Sequence, residues 1–228
     1  MEKRTAGYLA LTTLILTFLW LVTLVWMMTA AGSLTTYDRV LAFSASQPAS
    51  FFGNYLIAFL VTLSAIFFFY ALPTVAGKHH LHLAQLGSSV IPIYGGLNLL
   101  IYLWQITGLQ RVIDLLASPE SRQAAGLVVQ QTIHLWPGSA AALFNSLAYA
   151  LLGIPSMIYG FLMLSQGKQL RFGGILLACN GLACILGFIG STLSLKWLAQ
   201  GTLLGGVLFF FALVPITRAY LDLYPPQL

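Results

Sequence analysis

Six apolar runs dominate the chain: Tyr8 to Ala31, Phe51 to Leu72, Leu86 to Leu109, Ser139 to Leu164, Phe172 to Leu193 and Gly201 to Tyr220. Each holds twenty or more residues, enough for an α-helix to cross a hydrocarbon layer of roughly 30 Å. Hydrocarbon offers a backbone no partner, so segments of this length must satisfy their own peptide groups, and a helix does so. Ten Lys or Arg and five Asp or Glu make up 7% of the residues, and all but Arg218, two residues from the end of the sixth run, fall outside the runs. A soluble domain carries about a quarter charged residues. The expected fold is all-α: a polytopic membrane protein whose single domain, residues 1–228, contains six transmembrane helices and a short outer interfacial helix. A soluble enzyme, a secreted disulfide scaffold and a nucleic-acid-binding domain all fit poorly. The net charge of +5 is scattered, and no basic face exists to neutralise phosphates.

The first run could be mistaken for a secretory signal, but its 24 residues exceed the 7–15 of a signal's apolar region. It is read as the first span. Six spans put both ends on one side. Lys and Arg mark the cytoplasmic side of short loops. Lys3, Arg4, Lys78, Lys168, Arg171 and Arg218 fall on the side of the ends, against Arg39, Arg111, Arg122 and Lys196 on the other. Both termini are therefore expected in the cytoplasm.

Two outer connections are long enough to hold structure. Asp38 is expected to cap a short interfacial turn running into Val40-Leu41-Ala42-Phe43. Ser118-Pro119-Glu120 offers a cap, a first-turn proline and an early acid, which predicts a surface helix from Pro119 to Ile133. Trp136-Pro137-Gly138 then turns the chain back.

None of the fifteen charges lies at mid-depth in a span. That argues against proton coupling and voltage sensing, which use intramembrane ionisable groups. No cofactor is expected: Lys78, Lys168 and Lys196 fall in loops, as do the histidines His79, His80, His82 and His134, leaving no lysine for a retinal Schiff base and no haem ligand within a span. The His79-His80-Leu81-His82 cluster reads as a solvated loop rather than a metal site, because His80 and His82 point different ways on a helix and no Cys or carboxylate stands near. Cys179 and Cys184 point about 140° apart on one helix and cannot bridge. No protease dyad or aspartate cluster is present, so the chain is expected not to be an enzyme.

Uncharged polar residues carry the remaining signal. At 100° per residue, Tyr94, Asn98, Tyr102 and Gln105 share one face of the third span, and Asn145, Tyr149, Ser156 and Tyr159 one face of the fourth. Asn180, Cys184, Gly187, Ser191 and Ser194 do the same on the fifth. Amides and phenols in hydrocarbon must turn inward to one another or to trapped water. Interhelical hydrogen bonding is one consequence. The other is a neutral polar cavity between the third, fourth and fifth helices, with Tyr94, Asn98, Tyr102, Gln105, Asn145, Tyr149, Ser156, Tyr159 and Asn180 as candidate ligand contacts. Pro92 and Pro155 interrupt the third and fourth helices beside these stripes. The first, second and sixth spans show no comparable stripe.

Small residues recur every four positions, at Cys179, Ala183, Gly187 and Ser191 in the fifth span and at Gly201 and Gly205 in the sixth. Such ridges allow close helix approach, within the chain or in a homodimer. The expected function is to bind, and passively conduct or carry, a small uncharged or amphipathic molecule. The alternative is an accessory or assembly subunit packed against a membrane-protein partner. Besides the ligand, the expected partner is the lipid bilayer; no nucleic acid is expected.

Arg4-Thr5-Ala6-Gly7-Tyr8 leading into the first span, the long segment between the third and fourth helices, and Leu143-Phe144-Asn145-Ser146-Leu147-Ala148-Tyr149 followed by Gly153-Ile154-Pro155 resemble a family of uncharacterised bacterial six-helix membrane proteins. The resemblance implies a bacterial inner-membrane location and a six-helix bundle. It carries over no functional residue.

Overall fold

The structure, a computed structural model, describes residues 3–75 and 80–222, which are helical with connecting turns and no strand. Lys78 and His79 of the expected histidine loop lie outside the described residues. The long helices are α1 (Lys3–Ala31), α3 (Ala49–Ala71), α4 (Leu81–Thr107), α7 (Ala140–Met163), α8 (Lys168–Thr192) and α10 (Gly201–Asp222). All six are long and apolar enough to span a bilayer. The chain is a multi-pass membrane protein.

Local chemistry sets several boundaries. Gly32, at φ +61°, takes the left-handed conformation that stops α1. Ser139 caps α7, its Oγ accepting from the Ala142 N–H at 3.0 Å. The shorter helices α2 (Tyr37–Ser46), α5 (Leu109–Asp114), α6 (Arg122–Thr132) and the single turn α9 (Lys196–Ala199) lie on the face opposite Lys3 and Asp222. That side is called the far face below, and the other the terminal face. The surface helix exists but starts later than the Ser118-Pro119-Glu120 pattern suggested. Those residues form a turn, tied down where Ser121 Oγ and Arg122 Nε donate to the carbonyls of Leu115 and Leu116. Nor does Asp38 cap α2. Thr36 holds that position, without a side-chain bond, and Asp38 sits in the first turn.

The long helices form a closed ring in chain order, α1 against α3, then α4, α7, α8 and α10, which returns to α1. Every neighbour is antiparallel. Gly153 meets Gly181 and Gly160 meets Gly174 between α7 and α8, while Trp20 lies on Gly206 and Gly7 on Tyr220 between α1 and α10. A Cβ at Gly153 or Gly160 would come 2.6 Å from the facing glycine carbonyl oxygen. Gly201 and Gly205 fit likewise against Ala183, Gly187 and Cys184. The small-residue ridge is thus used inside the chain, except at Cys179, which is exposed.

The interior divides by depth. Towards the terminal face, Phe68, Phe69, Ile91, Tyr159, Phe209 and Leu213 pack in one fully sealed cluster. Towards the far face a second cluster, including Met27, Val40, Phe51, Tyr55, Tyr102 and Ile133, joins α1, α3 and α4 to the surface helices.

Candidate functional site

Between these clusters the ring encloses a cavity of about 600 Å³. All six long helices line it, not only the three that carry the polar stripes. Thr17, Trp20 and Leu24 come from α1, Asn54, Tyr55 and Ala58 from α3, and Thr202, Gly206 and Phe209 from α10. The first, second and sixth spans contribute because the ring is closed, a property of tertiary packing that no single helix displays.

The candidate contacts divide into two groups. Tyr94, Tyr102, Asn145, Tyr149 and Asn180 line the cavity. The Tyr102 and Tyr149 hydroxyls are 2.9 Å apart and bridge α4 to α7, the approach expected of the two facing stripes. Asn180 Nδ2 donates to the Gly205 carbonyl at 2.8 Å, fixing the wall made by α8 and α10. Asn98, Gln105, Ser156 and Tyr159 do not line the cavity. Tyr159 joins helices: its hydroxyl donates to the Ala84 carbonyl at 2.9 Å and lies 2.7 Å from Ser88 Oγ. Ser156 is fully buried with no partner for its hydroxyl. Asn98 is also fully buried. It stands beside the Tyr94 hydroxyl, with neither amide atom in a hydrogen bond of good geometry.

Three asparagines at the cavity wall, Asn54, Asn145 and Asn180, each retain a side-chain oxygen without a protein partner. Amides so placed are costly unless something else pairs with them. The floor is apolar: Phe209 lines the cavity and stacks on Phe69, ring centres 5.9 Å apart, with Phe68 edge-on to Phe69 at 5.3 Å. Pro137, Gly138, Ser194 and Lys196 form an exposed rim at the far face. Among the described residues Lys196 is the one charged residue in the lining.

Sequence reasoning placed His134 in a loop and left it there. The structure turns that loop over the cavity, and His134 is part of the lining. Tyr55 Oη and His134 Nδ1 are 2.9 Å apart. Gln105 holds the loop backbone at two points, donating through Nε2 to the Thr132 carbonyl at 2.8 Å and accepting the His134 N–H through Oε1 at 3.1 Å. Burial lowers the pKa of His134 from 6.5 to about 4, so its imidazole is neutral at neutral pH. Asn54 was legible as the sole amide of the second span. Thr17 was not informative, because its hydroxyl donates to its own helix four residues back, at 2.7 Å, and needs no polar neighbour. Among the described residues no group of three His, Cys, Asp or Glu is arranged to hold a metal ion.

No protein family, curated protein or solved structure matches the chain.

Proposed function

We propose that this protein is a non-enzymatic membrane receptacle for a small uncharged or amphipathic molecule, taken up at the far face. The observation that carries the reading is the cavity itself. Its volume of about 600 Å³ falls within the 300–1,000 Å³ usual for small-molecule sites, and like them it sets a few polar groups in an apolar wall. Tyrosine hydroxyls and asparagine amides supply directional contacts, while Phe209, Leu152 and Ala58 supply apolar ones. A binding role is favoured over conduction because the cavity ends on Phe68, Phe69 and Phe209. Passage to the terminal face would need those rings to part. A subunit whose only task is to pack against another protein has no use for an interior space bounded by unpaired amides.

The orientation we propose puts the termini in the cytoplasm of a bacterium and the rim outside, on the Lys and Arg distribution. Cysteines placed at Gln123 and Lys168 test it with a membrane-impermeant maleimide on intact cells. Labelling at Gln123 alone is expected, and labelling at Lys168 alone would invert it.

Binding is tested by native mass spectrometry of the chain purified in mild detergent. The wild type should carry an adduct of a few hundred daltons. Ser146→Trp, which fills the cavity from a half-buried wall position, should fly bare while melting at the wild-type temperature. Equal adducts on both proteins, or none on the wild type, would refute a chamber at this place.

A further inference from the structure

His134 is a cavity group that is both preorganised and, as a donor, unspent. His134 is fixed through its backbone by Gln105 and through Nδ1 by Tyr55. Tyr102 and Tyr55 pack nearly perpendicular to the same imidazole, ring centres 6.1 and 5.6 Å away and 6.0 Å from each other, so the three rings form one compact triangle. Tyr55, Tyr102 and Gln105 come from α3 and α4, and none of them is charged. A neutral imidazole carries one proton. The bare nitrogen is a far better acceptor than a phenol oxygen, and among the described residues the Tyr55 hydroxyl has no other partner to donate to, which assigns Tyr55 Oη–H as donor to Nδ1 and the imidazole proton to Nε2. Among the described residues no protein group accepts from Nε2, and His134 lines the cavity.

Resting on the chamber reading above, we propose that His134 Nε2–H is the orienting donor of the site and that the ligand is a neutral amphipath bearing a carbonyl-type oxygen, held by this donor at the far-face end of the cavity. The placement divides the ligand. Its oxygen lies near His134, between the exposed rim at Pro137 and Gly138 and the deeper wall. Its apolar body extends towards Val61, Leu152 and Phe209. Tyr55 and Gln105 are positioning residues, since they act through the imidazole.

The test uses two dyes of matched shape, with the full chain in lipid nanodiscs. One is 6-propionyl-2-(dimethylamino)naphthalene, whose emission moves to the red when its ketone accepts a hydrogen bond. The other is the 6-propyl analogue, which has no oxygen. Wild type should bind the ketone roughly three- to tenfold more tightly, the worth of one neutral hydrogen bond, and shift its emission to the red. His134→Leu should bind both dyes equally, with blue emission and unchanged affinity for the propyl dye. Tyr55→Phe keeps the ring but frees the tautomer, and should lose part of the preference even if the leucine variant fails to fold. A ketone preference and red emission that survive both substitutions would overturn the proposal. Equal binding of the two dyes by wild type overturns it too, while leaving the chamber reading intact. Saturable binding of neither dye sinks that reading along with the proposal.

Discussion

Adding a single methyl group at Gly181 should separate two helices. A Cβ there would overlap the Gly153 carbonyl oxygen, lie 2.7 Å from Met157 Cγ and touch the Met157 backbone nitrogen at 3.0 Å. Two of these neighbours are backbone, so no rotamer change relieves the contact. Either α7 and α8 move apart, or the alanine strains both. Inserting a methyl group into a packed interior costs about 1–3 kcal/mol. Here the upper half of that range is expected, because separation also disturbs the Gly160–Gly174 contact one turn pair away. Gly96→Ala is the control, since a Cβ at Gly96 meets nothing within 4 Å. It lies in α4 and should be neutral or slightly stabilising through helix propensity. Unfolding in mixed micelles, followed by near-ultraviolet circular dichroism, should place Gly181→Ala at least 1 kcal/mol below Gly96→Ala, the low end of that overpacking range. Should the two variants unfold together, α7 and α8 are not packed backbone to backbone, and the wall that carries Asn145 and Asn180 is misplaced.

Leucine at two buried asparagines should separate packing from binding. Asn98→Leu removes a fully buried amide with no good hydrogen bond and should leave the melting temperature unchanged or higher, whereas a fall equivalent to more than about 1 kcal/mol would show that Asn98 pairs with Tyr94 in the native state. Asn145→Leu alters the cavity wall and should abolish the mass-spectrometric adduct at little cost in stability. Stability should also depend on His134. Its pKa in the fold, about 4, lies below the usual 6.5, so the unfolded chain takes up a proton that the folded chain refuses. The neutral imidazole's contribution is complete above pH 6.5 and is lost as pH falls from 6.5 towards 4. The loss is about 3 kcal/mol at most, and less in practice because His134 is only half-buried at the cavity. Denaturation of wild type and His134→Gln at pH 7, 5.5 and 4.5 should show the wild type losing its advantage on acidification, and parallel curves would refute the assignment.

The membrane fold was legible because apolar length is a local property. Six runs of twenty or more residues can be counted without knowing what lies beside them. The facing of the third and fourth spans was legible for a related reason. Asn and Tyr in a span must find partners, so Tyr102 and Tyr149, each on its helix's polar face, were bound to seek each other. The surface helix was anticipated but misplaced, since a Ser-Pro-Glu sequence opens a turn as readily as a helix and the carbonyls of Leu115 and Leu116 decide between them. What stayed hidden was whatever depends on the ring closing. Gln105 belongs to the polar stripe by period, yet it serves the loop rather than the cavity. His134 belongs to a loop by position, yet it reaches the cavity. Neither role follows from spacing along one helix.

Ring closure also explains why a cavity should exist here. Six cylinders of equal width, each touching two neighbours, enclose a central space as wide as one of them, about 10 Å for a helix with its side chains. Side chains must fill that space or leave it open. On the terminal side, Phe68, Phe69, Phe209 and Tyr159 occupy it, four large aromatics contributed by α3, α10 and α7. On the far side large side chains such as Trp20, Tyr55 and Tyr149 also line the axis, but they are interspersed with Ala58, Ala142, Ser146, Gly190, Ser191 and Gly206. These last are too short to meet in the middle. Exchanging small residues for large ones at those positions would seal the bundle, and burying that apolar surface would stabilise it at about 25 cal/mol per Å². A chain selected for stability alone has that route open. The far half instead combines short side chains with three incompletely paired amides and a clamped, neutral imidazole. Each of these costs stability in an empty bundle, and under the proposed function each is a group that an entering molecule would pair.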